Sequence, residues 1–409
     1  MNYPENLPQR FTVLGESMAD SIIKLRRRFH QYPEIGNLEK RTTAQLKKEL
    51  QKLGLKIFDR HTPTGLWAEL DTGRPGPVVA VRTDIDALPI TEKTGLPYAS
   101  KIEGSMHACG HDVHMAVLVG AARLLCRFKD DLIGRIKFIC QPAEEIPPGG
   151  ARPLIKAGVL KNPKVDTILA LHVDPTLPVG AIGLRDGASM ASVYDFDLKI
   201  VGLSGHAALP HNTIDTIPIA AEIITALQQL ISRKVDPVQA AVITFGTIRA
   251  GGTRNIIAGE AVIEGTARSL DPALSKKLPR LIRKTAVDIG RAFGARVEVI
   301  SVADYPVLKS DPRVNKAVDQ AFRRVFPSGK VYNIPEVLGG EDFACYLEQT
   351  PGAMFRLGVG NKKIGADKPW HHPAFTIDEK AIPAGYITMA AAVTELLFHW
   401  PHSSRKSNR

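Results

Sequence analysis

Residues 77–86 read PVVAVRTDID, an apolar, valine-rich run that ends in Asp84 and Asp86. Such a run suits a strand buried on both faces of a parallel sheet. The same rhythm repeats on either side of it. GLWAEL (65–70) precedes it, and the helical segment HMAVLVGAARLLCRF (114–128) follows. Two further β-rich runs, GRIKFICQPAEE (134–145) and DTILALHVDP (166–175), are separated by the helical ARPLIKAGVL (151–160). Strands alternating with helices predict an α/β fold, a mostly parallel sheet flanked by helices. Upstream, apolar positions from Ser21 to Leu53 recur at helical spacing and are interrupted by the loop HQYPEIGN (30–37).

Near Ala188 the pattern changes. SVYDFDLKIVG (192–202) alternates as a strand, TIPIAAEIITALQQLIS (216–232) is helical, and AAVITFGTIRAG and EAVIEGTARSL are strands. A second helix, PALSKKLPRLIRKTAVDIGRAF (272–293), leads to the strand ARVEVISVAD (295–304). That order is βαββαβ, a split βαβ sandwich with two helices on one face of its sheet. A chain of 409 residues exceeds one hydrophobic core, so the second pattern reads as a domain inserted into the first. The expected division is 1–187 and 304–409 for the outer domain and 188–303 for the insert.

Composition narrows the class. With 44% hydrophobic and 23% charged residues, the chain reads as a soluble globular protein. The run AVLVGAARLL (116–125) falls short of a membrane span and carries an arginine, so no membrane role is expected. The opening MNYPENLPQR lacks the pattern of an export signal, and a cytoplasmic location is the expectation. Four scattered cysteines make no disulfide framework. A net charge of +11 is spread along the chain, with KLRRRFH (24–30) and the tail SSRKSNR (403–409) as its dense clusters. That distribution predicts no nucleic-acid binding and a mild attraction for anionic small substrates.

In open α/β sheets, ligands bind beyond the carboxyl ends of the strands. Polar residues cluster at those ends here: Asp84 and Asp86, Glu144 and Glu145, His172 and Asp174. HACGHDVH (107–114) precedes a helix and WHHPAF (370–375) lies in a late loop. Thiolate, imidazole and carboxylate together are good ligands for zinc and acceptable ones for manganese, cobalt or nickel. Cys109 and His111 are one residue apart and can address one ion. The donors outnumber what one ion needs, which suggests two ions with the Cys109 thiolate as bridge. Of the adjacent Glu144 and Glu145, alternation along a strand lets one bind metal while the other serves as general base. Hydrolysis of a polarised carbonyl is the chemistry such a site suits.

With these residues in place, the chain resembles the zinc aminoacylase and carboxypeptidase superfamily. Within it, the resemblance is to the amidohydrolase branch of hippurate hydrolases, bacterial N-acyl-amino-acid amidohydrolases and plant auxin-conjugate hydrolases. RTDIDALPI, MHACGHDVHMA, QPAEE, LHVDP, GLSGHAALPH, NIIAGEAVIEGTARSLD, GGEDFA and HHPAF occur in that branch's order along about the whole chain. The resemblance implies a phosphorylase/hydrolase-like catalytic domain with a ferredoxin-like lid that also makes the dimer contact. It implies two divalent ions, Zn2+ first and Mn2+, Co2+ or Ni2+ as alternatives, held by Cys109, His111, Glu145, His172 and His371. Glu144 matches the catalytic base, and Asp84, Asp86 and Asp112 match groups that orient the ligands. His206 matches a histidine that reaches the partner subunit's site to stabilise an oxyanion, and Asn255 and Arg268 match groups that hold the substrate carboxylate. His372 adjoins His371; the His-any-Pro pattern favours His371 as ligand. The sequence departs from the branch at Ala258, where proline is usual, and at the Pro147–Pro148 pair.

The implied activity is metal-dependent hydrolysis of the amide in an N-acyl amino acid, by a homodimer or dimer of dimers acting on a small molecule. The rival enzymes are a carboxypeptidase, a dipeptidase or an N-acetyl-diaminopimelate deacetylase. A metal-storage protein would need no general base, and a redox switch at Cys109 would need a nearby resolving cysteine, which the sequence does not show.

Overall fold

The computed structural model describes residues 3–401, and the basic tail SSRKSNR lies outside them. The described residues divide into two compact units, one of those up to 187, 309–335 and those from 345 on, the other of 188–308 and 336–344. The expected end of the insert at 303 is corrected, because the strand Arg296–Tyr305 runs past it. Residues 336–344 join the same unit: the amide of Ala191 donates to the carbonyls of Val337 and Gly339.

The first unit is built on an eight-stranded sheet. Its spatial order is Lys56–Phe58, Leu66–Asp71, Arg135–Gln141, Val78–Asp84, Thr167–Pro178, Gly352–Gly360, Ile182–Leu184, Val331–Asn333. The four strands from Arg135–Gln141 to Gly352–Gly360 run parallel, and antiparallel strands flank them. Every residue of Val78–Asp84 is buried. Alternation sorts this sheet by chemistry. Val79, Val81, Phe138, Leu169, Leu171, Phe355 and Leu357 enter one apolar core with the helices Leu7–Gln31, His111–Arg127, Pro312–Val325 and Ala381–His399. Side chains on the opposite face therefore include Arg82, Asp84, Gln141, His172 and Arg356, all buried. This polar face delivers the site.

Two helices differ from expectation. The first begins at Leu7, well before Ser21, and contains Gly15. A Cβ on Gly15 would stand 2.5 Å from Ile387 Cγ1, so the glycine marks a close helix contact rather than a break. Ala381–His399 is long and apolar enough to cross a membrane, contrary to the reading of the sequence, yet 89% of its most apolar stretch is buried inside the protein. It is a core helix here.

The second unit carries a four-stranded antiparallel sheet in the order Ala241–Ala250, Glu260–Ser269, Ser192–Val201, Arg296–Tyr305. Helices Thr216–Lys234 and Pro272–Ala292 share its core through Ile223, Leu227, Leu278 and Ile282 against Phe196, Leu198, Ile200 and Ile263. Each helix starts at an aspartate cap, Asp215 accepting from the amide of Ile217 and Asp271 from that of Leu274. The βαββαβ order is the ferredoxin-like arrangement.

Candidate metal centre

Five segments of the first unit converge beyond the sheet. Gly110 adopts the left-handed conformation (φ 88°) and starts the helix His111–Arg127, which turns Cys109 and His111 toward one point. Two donor triads result, Cys109–His111–His172 and Cys109–Glu145–His371, each with its ligand atoms within 4.8 Å of one another. They share the Cys109 sulfur. Cys109 Sγ lies 3.4 Å from His172 Nε2, and His371 Nε2 lies 3.2 Å from Glu145 Oε1. Two donors about 2.1 Å from a tetrahedral ion are about 3.4 Å apart, so these spacings fit donors that share an ion.

The tautomers are set from behind. His111 Nδ1 donates to the backbone oxygen of Asp86 at 3.0 Å, and His172 Nδ1 donates to that of Val173 at 2.8 Å. Each Nε2 lone pair is thus aimed into the cluster, and His111 Nε2 is buried without a hydrogen-bond partner. Trp370 donates to the same Val173 oxygen at 3.0 Å and packs edge-on against His172 with ring centroids 5.0 Å apart. His114, although close to His111 and Asp84, cannot offer a lone pair. Its Nδ1 donates to Asp84 at 2.6 Å and its Nε2 accepts from the amide of Val173 at 3.0 Å, which fixes a neutral ring with both nitrogens engaged. Arg82 holds the other oxygen of Asp84 at 2.6 Å and reaches Gln141 at 3.0 Å.

Charge makes the same point as geometry. Burial pushes the Cys109 thiol well up, and the carboxylates of Glu145, Glu144 and Asp84 push it further. Burial would lower the His111 pKa, but Asp84, Asp86 and Glu145 raise it to about 10. A buried thiol among several carboxylates calls for positive charge, and the donor set fits divalent ions that would displace these protons.

Glu144 and Glu145 are not placed by strand alternation, as the sequence suggested. The strand ends at Gln141 and Ala143 turns left-handed (φ 51°), so both carboxylates reach the neighbourhood of His111. Asp86 fastens this turn, its Oδ2 accepting from the amide of Glu145 at 2.9 Å. Asp112 corrects another expectation, since its side chain orients no donor. It accepts from the amide of Val113 and pairs at 2.7 Å with both the buried Arg26 and His30. Burial would raise its pKa, and Arg26 and His30 instead hold it far below the usual carboxylate range. His371 joins the cluster in a left-handed conformation (φ 64°), while His372 Nδ1 accepts from the amide of Ala374. His107 is buried with neither ring nitrogen hydrogen-bonded, and burial lowers its pKa to about 4.

In the second unit, the ribbon Gly205–His206 pairs with Ile256–Ile257, and the amide of Ala207 donates to the oxygen of Asn255. His206 and Asn255 are neighbours there, and both are exposed. Arg268 lies on the strand Glu260–Ser269 and donates to the oxygen of Leu338. Trp370, Arg82, Arg26 and His30 were missed from sequence. A charged residue inside the valine run was the available signal for Arg82, and a tryptophan beside the His pair for Trp370.

Residues 80–395 match peptidase family M20/M25/M40. The chain belongs to that family. Membership makes it an amide-cleaving hydrolase. Among relatives, N-acetyl-L-cysteine deacetylase of Bacillus subtilis is 42% identical over 90% of this chain and 86% of its own length. Thermostable carboxypeptidase 1 of Saccharolobus solfataricus is 38% identical over 91% of this chain and 94% of its own. A dinuclear metal-binding M20 peptidase of Bacillus subtilis superposes with a TM-score of 0.79 at 36% identity, covering 93% of this chain and 99% of that one.

Proposed function

We propose that this member of the family removes the acyl group from N-acyl amino acids at a two-ion centre held by Cys109, His111, Glu145, His172 and His371. The observation that carries the reading is the pair of donor triads sharing Cys109, with Glu144 beside them. These residues would hold divalent ions, Zn2+ first among them, which when bound would supply Lewis acidity and lower the pKa of water. Glu144 takes the proton of the attacking water and delivers it to the leaving amine. Asp84, through His114, and Asp86, through the turn at Glu145, keep the donors in place. In the second unit, Asn255 and Arg268 bind the substrate carboxylate, where a planar guanidinium suits a planar anion. His206 stabilises the tetrahedral oxyanion in the site of a partner subunit, which makes the working form a homodimer.

The relatives support amide cleavage beside a carboxylate: N-acetyl-L-cysteine deacetylase, N-acetyldiaminopimelate deacetylase and a carboxypeptidase. The carboxypeptidase name keeps short peptides as the second reading. Assaying N-acetyl, N-benzoyl and indole-acyl amino acids against dipeptides, with defined metals, separates the two. Glu144→Gln is expected to keep its metal and lose about a hundredfold or more in turnover. Near-normal turnover at full metal content would assign the proton transfer to another group.

A further inference from the structure

The loop between the first two helices lies outside residues 80–395, the stretch that matches the family, yet it grips the centre at several points. Ile35 bridges Ala87, the residue after Asp86, and the amide of Ala87 donates to the oxygen of Glu34 at 2.8 Å. Gly36 lies against the catalytic turn, where a Cβ would stand 3.2 Å from Ala143 Cα and 2.8 Å from Ile146 Cδ1. Glu39, 0% exposed, accepts from the amide of Ala143 at 2.8 Å with Oε1 and from the hydroxyl of Thr64 at 2.7 Å with Oε2. No cation is among these contacts. A buried carboxylate that binds only neutral donors is a costly way to fill a core position. What it secures is specific. Ala143 sits at φ 51°, a left-handed conformation that strains an L-residue and needs support from outside.

The amides on either side of Glu144 are therefore each held by a buried carboxylate, that of Ala143 by Glu39 and that of Glu145 by Asp86. We propose that Glu39 is a positioning residue, which fixes the Ala143 turn so that Glu144 and Glu145 address the centre from one side. The inference rests on the reading of Glu144 as base and Glu145 as ligand.

Four variants test it: Glu39→Ala, Glu39→Gln, Glu39→Met and Thr64→Val. The readouts are calorimetric metal affinity of the stripped full chain, the visible spectrum of the Co2+-loaded protein, kcat and KM separately, and melting temperature. Glu39→Ala should weaken metal binding and lower kcat at saturating metal by about 10- to 100-fold, alter the Co2+ spectrum and leave KM within about twofold. Glu39→Gln should recover most of this, because its amide oxygen still accepts from Ala143 and the Thr64 hydroxyl can turn to accept from its NH2. Thr64→Val, which leaves the Ala143 contact intact, should keep the wild-type spectrum and kcat. If Glu39→Ala does not fold, Glu39→Met, which fills the space without an acceptor, carries the same comparison. A Glu39→Ala or Glu39→Met protein with lowered melting temperature but normal spectrum and kcat overturns the inference, as does a Gln variant no better than Ala. Glu144→Gln is measured alongside. Its full activity would sink the reading of the base, whereas an inactive Glu144→Gln beside a normal Glu39→Ala sinks only the positioning role.

Discussion

Gly110→Ala is the substitution whose cost the structure defines most closely. The residue stands at φ 88° between Cys109 and His111, where an L-side chain costs about 1–2 kcal/mol. The new Cβ would fall 2.4 Å from Val173 Cγ2, more than 1 Å inside the usual contact distance of about 3.5–4.0 Å. Overpacking of that kind typically costs about 1–3 kcal/mol. Together the two effects predict about 2–5 kcal/mol, a large fraction of the roughly 5–15 kcal/mol that holds a typical protein folded. The damage should extend to metal binding, because the backbone of Val173 holds His114, His172 and Trp370. Val173→Ala removes the obstructing methyls. In Gly110→Ala/Val173→Ala the overlap is relieved while the backbone cost remains, so the pair should be less destabilised than the sum by about 1–3 kcal/mol. Urea unfolding of the stripped proteins measures the cycle, and calorimetry measures zinc affinity. A Gly110→Ala cost below about 0.5 kcal/mol, or zero coupling to Val173, would refute the steric account.

Cys109→Ser should lower metal stoichiometry and activity together, since a hydroxyl is a far poorer anionic ligand than a thiolate; unchanged stoichiometry and affinity by metal analysis would remove the sulfur from the centre. Co-purified heterodimers of His206→Ala with Glu144→Gln should recover up to about half of a normal dimer's activity, because one site then carries neither defect; inactive heterodimers would confine His206 to its own subunit. Asp112, with its folded pKa depressed, contributes stability that is present above the ordinary carboxylate range, about pH 4, and lost as pH falls. Asp112→Asn should therefore melt well below the metal-free wild type at pH 7, with the gap narrowing toward pH 3; a pH-independent gap would contradict the assignment.

Much of the centre was legible because its donors sit in short, compositionally unusual segments at strand ends. Cys109 and His111 are separated by one residue, and His172 and the glutamate pair follow apolar runs. What escaped is long-range or conformational. Nothing in QPAEE announces that Ala143 turns left-handed, and the carboxylates that accept from the amides of Ala143 and Glu145, Glu39 and Asp86, come from distant segments. Asp112 sits in the same short motif as Cys109 and His111, yet its partners are on the first helix, so proximity in sequence misassigned it. Gly15 and the helix Ala381–His399 show the same limit, because a helical glycine and an apolar helix acquire their meaning only from what packs against them.

The discontinuity of the first unit governs the order in which the protein can become active. Its strand Thr167–Pro178 takes as parallel neighbour Gly352–Gly360, with Ile168 opposite Gly352, across the entire length of the other unit. Pairing at such separation is slow, because the intervening chain must be ordered or looped out before the contact forms. The inserted unit, by contrast, has most of its chain in one continuous stretch and is available to fold early during synthesis. Cys109, His111 and His172 precede that stretch, but His371, which completes the second donor triad, comes only after the late strand has found its place. Occupancy of the second ion position would thus be a chemical signal that the sheet has closed, and a chain stalled before that point would hold at most half of its metal.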